Sequence, residues 1–142
     1  MATVTPQTLS DGTLLIDATA AVTVDAVRDA QTELAEWRSR GHDTVHVIGH
    51  IAEASMEELD AIGRRNVRLN IGHFVVVGAR ARIVHLAAEM EGSWDGESLP
   101  CSDESVAYDE VSRMRGESVV VLVTSSTECD MAELVARLKG ES

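Results

Sequence analysis

The sequence predicts an α/β domain with a mainly parallel sheet and helices on both faces. Two observations carry this. Strand-like and helix-like segments alternate five times, and several of the strands are apolar throughout. A strand without a polar face needs cover on both sides, which a parallel sheet flanked by helices provides. A chain of 142 residues with 44% hydrophobic residues is long and apolar enough for one domain with a real core, so a single domain over 1–142 is expected. Aromatics make up 3%, so Val, Ala, Leu and Ile must do the packing.

The elements follow in order. Residues 13–17, TLLID, form a short apolar strand. Val24, Val27, Leu34 and Trp37 then fall near helical spacing, with Thr23 as N-cap and Gly41 as the stop. TVHVIG, 44–49, is a β-branched run ending in glycine. In SMEELDAIGRRNVRLN, Ser55 and Glu58 stand in capping-box register, and Leu59, Ile62 and Leu69 mark the apolar face. HFVVVG, 73–78, is a buried strand, and ARARIVHLAAEM is a helix ended by Gly92. ESLPC, 97–101, reads as an edge strand, because Pro100 has no N–H to give to a ladder. SDESVAYDEVSRMRG is helical, with Val106, Val111 and Met114 as inner positions. SVVVLVTS, 118–125, is a second fully apolar strand, and TECDMAELVARLK closes the chain as a helix.

Charge narrows the partners. The net charge is −12, with Lys139 the single lysine, which argues against nucleic acid and against an anionic membrane surface. No apolar run reaches the length of a membrane span. The start, MATVTPQTLSDG, has neither a basic end nor a long apolar stretch, so no signal peptide is expected and the chain is read as cytoplasmic. Cys101 and Cys129 fit no CxxC spacing and are expected to be reduced and structural.

In a parallel sheet, the loops at the strand C-terminal ends carry function. Here they are 18–23, 49–54, 78–80 and 124–128. Thr124, Ser125, Ser126 and Thr127 bring four hydroxyls to the start of a helix, an arrangement suited to an anion. The plainer role is that Thr127 or Ser126 caps that helix. No GxxxxGK[ST] is present, and no GxGxxG follows Gly78. Arg80 and Arg82 can neutralise a phosphate or carboxylate, or simply be solvated helix residues. The histidines His42, His46, His50, His73 and His85 show no zinc-site spacing, so no metal and no cofactor are expected. Asp17, at a strand end, is the best-placed catalytic carboxylate, with His50 at the same sheet edge as its candidate partner.

Four stretches together carry a resemblance: DGTLLIDATAAVTVDAVRDA, VIGHIAEA, EELDAIGRRNVRLNIGHFVVVGARARIVHLAAEMEGSWDGES and GESVVVLVTSS. Over roughly residues 10–140 the chain resembles the C-terminal domain of Mur ligases, nearest to the branch that joins D-alanyl-D-alanine. The resemblance is most specific around DAIGR, VVVG and EGSW. It implies a Rossmann-like domain that closes over a ligase active site, helps to hold the incoming amino acid or dipeptide, and completes the nucleotide site. It also implies that the family's ATP-binding and UDP-substrate domains have no counterpart within these residues.

The departures from the family pattern shape the functional expectation. The family's Asp-Ala-Tyr-Asn-Ala-Asn-Pro turn keeps Asp17 and Ala18, but reads Thr19 and Ala20 for Tyr and the first Asn, Val22 for the second Asn, and Thr23 or Val24 for Pro. Its Gly-Glu-Met turn reads Gly49, His50, Ile51, and a histidine before the IGR segment reads Leu59. Its Lys-Gly-Ser-Arg motif reads Thr124 to Thr127 and keeps one serine. Amide, carboxylate and cation are thus replaced by groups that cannot orient a charged substrate in the same way. The expectation is a stand-alone, non-catalytic domain that binds a protein partner or forms a homodimer. Its interface is expected at Ala20, Ala21, Val22 and Val24. Two alternatives stay open: half of a split ATP-dependent peptide ligase, and a small repurposed enzyme using Asp17 with a histidine.

Overall fold

A computed structural model describes residues 6–140. The chain runs β1 (Gln7–Thr8), β2 (Leu14–Ala18), α1 (Val24–Ser39), β3 (Asp43–Gly49), α2 (Met56–Arg68), β4 (His73–Val77), a single 3-10 turn (Ala79–Ala81), α3 (Arg82–Met90), β5 (Glu97–Cys101), α4 (Glu104–Ser112), β6 (Val119–Thr124) and α5 (Met131–Leu138). The six strands form one sheet in the order β1-β2-β6-β3-β4-β5. Every pairing is parallel except β1 on β2. The predicted mainly parallel, Rossmann-like α/β architecture is therefore the observed one. β1 was not expected: at two residues it is too short to show any periodicity.

The strands are apolar on both sides because both sides are covered. In β6, Val119, Val121 and Val123 face the cluster built with α4 and α5 through Ala107, Val111, Met131, Leu134, Val135 and Leu138. Val120 and Leu122 face the opposite cluster, with Ala30 and Leu34 of α1. On that same side, Val27 of α1 joins Leu59, Ile62 and Val67 of α2 and Val84 and Ala88 of α3 over Ile48, Phe74 and Val76. Each such buried aliphatic side chain contributes roughly 1.5–3 kcal/mol relative to exposure.

Local signals set the helix starts. Thr23 accepts a hydrogen bond from the Ala26 N–H at 3.1 Å. Ser55 accepts from the Glu58 N–H at 3.1 Å, and Glu58 accepts from the Ser55 N–H at 2.9 Å, completing the capping box. One inner position needs correction. Val106 is 38% exposed, because α4 turns Ala107 and Val111 inward and Val106 lies a further residue round the helix. Leu69 keeps the spacing of the inner stripe of α2 but, as the C-cap residue, is only half-buried, packed against the cluster that includes Leu34 and Leu122. Cys101 and Cys129 are both free thiols, and burial, then Glu110 and Asp103, push Cys101 up to about 11.

Candidate functional site

The four loops expected to carry function meet at one edge of the sheet, because β2, β6, β3 and β4 are parallel neighbours. The turn after β2 is closed by Asp17. Its exposed carboxylate accepts from the Thr19 N–H at 3.1 Å and from the Thr19 hydroxyl at 2.7 Å. Beyond it the Ala21 N–H donates to the Ala18 carbonyl, and the chain enters α1. Ala20 is exposed and Val22 is 57% exposed, whereas Ala21 and Val24 are half-buried against the core. Met56, the first residue of α2, is 72% exposed at this end of the sheet and was not foreseen.

Gly49 closes β3 and lies directly under Ser126: a Cβ at Gly49 would overlap the Ser126 side chain. His50 follows, with 8% of its surface exposed. Its Nδ1 lies 3.0 Å from the Thr127 hydroxyl, while its carbonyl accepts from the Thr127 N–H at 2.8 Å and from the hydroxyl at 3.0 Å. Burial holds the His50 imidazole below its ordinary pKa; the Arg80 cation adds to this and Glu128 opposes it.

The loop after β6 spends its hydroxyls internally. Thr124 is buried and donates to the Val47 carbonyl or the His46 ring. Ser125 is buried as well. Ser126 accepts from the Glu128 and Cys129 N–H groups at 3.1 Å each, and Thr127 bonds to His50. Neither Ser126 nor Thr127 caps the last helix. That role falls to Asp130, whose carboxylate accepts from the Glu133 N–H at 3.1 Å. The reason is that Thr127 is drawn onto β3, so the loop runs three residues further before turning helical.

Glu128 is the residue the sequence reading missed. Its two oxygens accept from the Ala79 and Arg80 N–H groups, at 3.1 and 2.9 Å. Gly78 makes this possible: its φ is 95°, and a Cβ there would stand 2.6 Å from a Glu128 oxygen. The 3-10 turn has no side-chain cap of its own, so Glu128 satisfies N–H groups otherwise left open. The only local hint was Gly78 before a helix start with no capping residue.

Asp17 and His50 are not brought together. β6 lies between β2 and β3, with Val123 in register with both Asp17 and Val47. Two strand spacings, about 10 Å, separate their strands. Each residue also has its own partner, Thr19 for Asp17 and Thr127 for His50. His46 is fully buried between Asn66 and Thr124. Among the described residues, no group of three or more His, Cys, Asp or Glu is placed to hold a metal ion, and no helix is long and apolar enough to cross a membrane.

The comparisons with known proteins agree with this geometry. A UDP-N-acetylmuramoyl-tripeptide–D-alanyl-D-alanine ligase of Mycobacterium leprae is 32% identical over 151 aligned positions, taking in 94% of this chain. The chain is a homologue of the Mur ligase C-terminal domain. It spans 29% of the length of that relative. MurF from Acinetobacter baumannii superposes with a TM-score of 0.73 at 20% identity, over 96% of this chain and 30% of that one. The MurF ligase of Thermotoga maritima, solved in complex with ADP, gives 0.70 at 16% identity, again over 96% and 30%. No family model matches the chain. In this Mur ligase-type domain, Asp17 closes the turn after β2 locally.

Proposed function

We propose that this Mur ligase-type domain is non-catalytic and works by binding protein at the loop edge of its sheet, with a second copy of the chain as the first partner. One observation carries the reading. At this edge Asp17, His50, Ser126, Thr127 and Glu128 are each engaged within the chain, while Val22 and Met56 stand bare at 57% and 72% exposure. Polar groups already paired with each other are poorly placed to orient a charged substrate, whereas exposed apolar side chains gain from being covered. A two-fold homodimer is the commonest way for a domain to cover such a surface.

The purified chain is expected to form a dimer by light scattering, and Val22→Asp is expected to dissociate it without unfolding the protomer, because Val22 contributes little to the core. A wild-type monomer at high concentration, with no change in Val22→Asp, defeats the homodimer. The chain is also expected not to bind or hydrolyse ATP at millimolar concentration. Micromolar ATP binding by calorimetry would overturn the non-catalytic reading and favour a subunit of an ATP-dependent ligase.

A further inference from the structure

The chain carries 24 acidic against 12 basic side chains, yet three arginines line one cavity. Arg28 of α1 and Arg65 and Arg68 of α2 line a space of about 180 Å³ that is open to solvent, together with Ala61 and Leu69. It lies in the seam between two helices, not among the strand-end loops.

The ion pairs around it are uneven. Glu91 takes the Arg68 Nε at 2.6 Å and an Arg64 Nη at 3.2 Å, and Asp60 takes the Arg64 Nε at 2.8 Å. These two carboxylates therefore answer Arg64 and Arg68. Among the described residues, Arg28 has no ion pair. Arg65 has only a neutral partner, the Thr32 hydroxyl, which accepts from its Nη at 2.6 Å. The Arg65 Nε is shielded from solvent and has no acceptor. A shielded Nε–H without an acceptor is costly, and a second cation lining the same space adds repulsion. Both costs fall if an anion enters.

We infer that the cavity between α1 and α2 binds a phosphate group, held by Arg28 and Arg65 with Arg68 at its rim. Guanidinium forks match phosphate oxygens in pairs, and the dianion neutralises the two cations that lack a carboxylate. The space admits a phosphate group but is below the size of pockets that enclose whole drug-sized ligands. The phosphate is thus either free or the end of a larger molecule whose remainder stays in solvent. This inference does not depend on the loop edge or on what the domain does there.

The test follows the arginine Nε–H signals by NMR during titration with inorganic phosphate and, separately, glycerol phosphate, with chloride at matched ionic strength as reference. Saturable shifts at Arg28 and Arg65 with phosphate support the site. Arg28→Gln, at an exposed position that leaves the fold intact, is expected to weaken binding by about 10-fold, the loss of one charge-assisted contact. Arg65→Lys keeps the charge but not the fork and is expected to weaken it as well. Equal binding of the two probes marks a phosphate-group site; tighter glycerol phosphate marks the end of a larger ligand. Shifts no larger than those with chloride, or shifts unaffected by Arg28→Gln and Arg65→Lys, overturn the proposal.

Discussion

Gly63→Ala is expected to lower the unfolding free energy by about 3 kcal/mol, the cost of overpacking a closed core site. In an exposed helix the same change would gain up to about 1 kcal/mol, because alanine is the better helix former. The sign reverses here because Gly63 lies buried where α2 crosses α3. A methyl group at Gly63 would overlap the Val84 carbonyl oxygen, and would meet the Ala87 Cβ at 3.0 Å and the Ala88 nitrogen at 3.2 Å. Two of these are backbone atoms, so no side chain can rotate away. Nor can α3 slide outward freely, since Val84, Ala87 and Ala88 are all buried against the same core. The helices must separate, and the contacts of the Phe74 and Ile62 cluster loosen with them. Urea unfolding measures the effect. Gly116→Ala, where nothing lies within 4 Å of the new methyl, serves as the near-neutral comparison. Equal stabilities for the two variants would show that α2 and α3 do not meet this closely.

What the sequence made legible is what neighbouring residues settle among themselves. Ser55 and Glu58 are three apart, so their reciprocal caps form as the spacing predicts. The apolar runs at β4 and β6 reveal strands buried on both faces without any knowledge of what covers them. The hidden features depend on distant partners. In the segment between β6 and α5, Ser126, Thr127 and Asp130 are all competent caps. His50, 77 residues away, decides among them by engaging Thr127. Glu128 reaches the 3-10 turn across 49 residues, and nothing near it in sequence signals that N–H groups wait there. The pairing of Asp17 with His50 fails for a topological reason. β6, last in the chain, inserts between β2 and β3, and nearer partners engage each residue, Thr19 for Asp17 and Thr127 for His50. His46 shows no zinc-site spacing in the sequence, and in the structure it is a core residue with two polar partners.

That buried histidine sets the second large effect: stability is expected to fall by about 2 kcal/mol between pH 7.5 and pH 5.0 through His46 alone. Its protonation state in the fold follows from a chain of hydrogen bonds. The Ile62 carbonyl can only accept, so Gln31 presents its Nε2, at 3.2 Å. The same amide donates to the Asn66 Oδ1 at 3.4 Å. Asn66 therefore offers an oxygen to His46, whose Nδ1 must carry the proton across 3.2 Å. Its Nε2 is left to accept from the Thr124 hydroxyl at 3.0 Å. This arrangement suits a neutral ring. Burial lowers the His46 pKa from 6.5 to about 4, only slightly offset by Asn66. The unfolded chain keeps the ordinary value, so above 6.5 neither state binds the proton and the contribution is complete. As pH falls from 6.5 toward 4, the unfolded chain binds a proton that the folded chain refuses, and stability is lost at up to about 1.4 kcal/mol per pH unit. Below 4 both states bind it and the loss from this group stops. His50, also held below its ordinary pKa, adds in the same direction. The measurement is urea unfolding of wild type and His46→Leu at both pH values. His46→Leu is expected to be weaker at pH 7.5, because Asn66 loses a donor, yet to lose about 2 kcal/mol less on going to pH 5.0. If both proteins lose stability equally, His46 does not sit as a buried neutral ring.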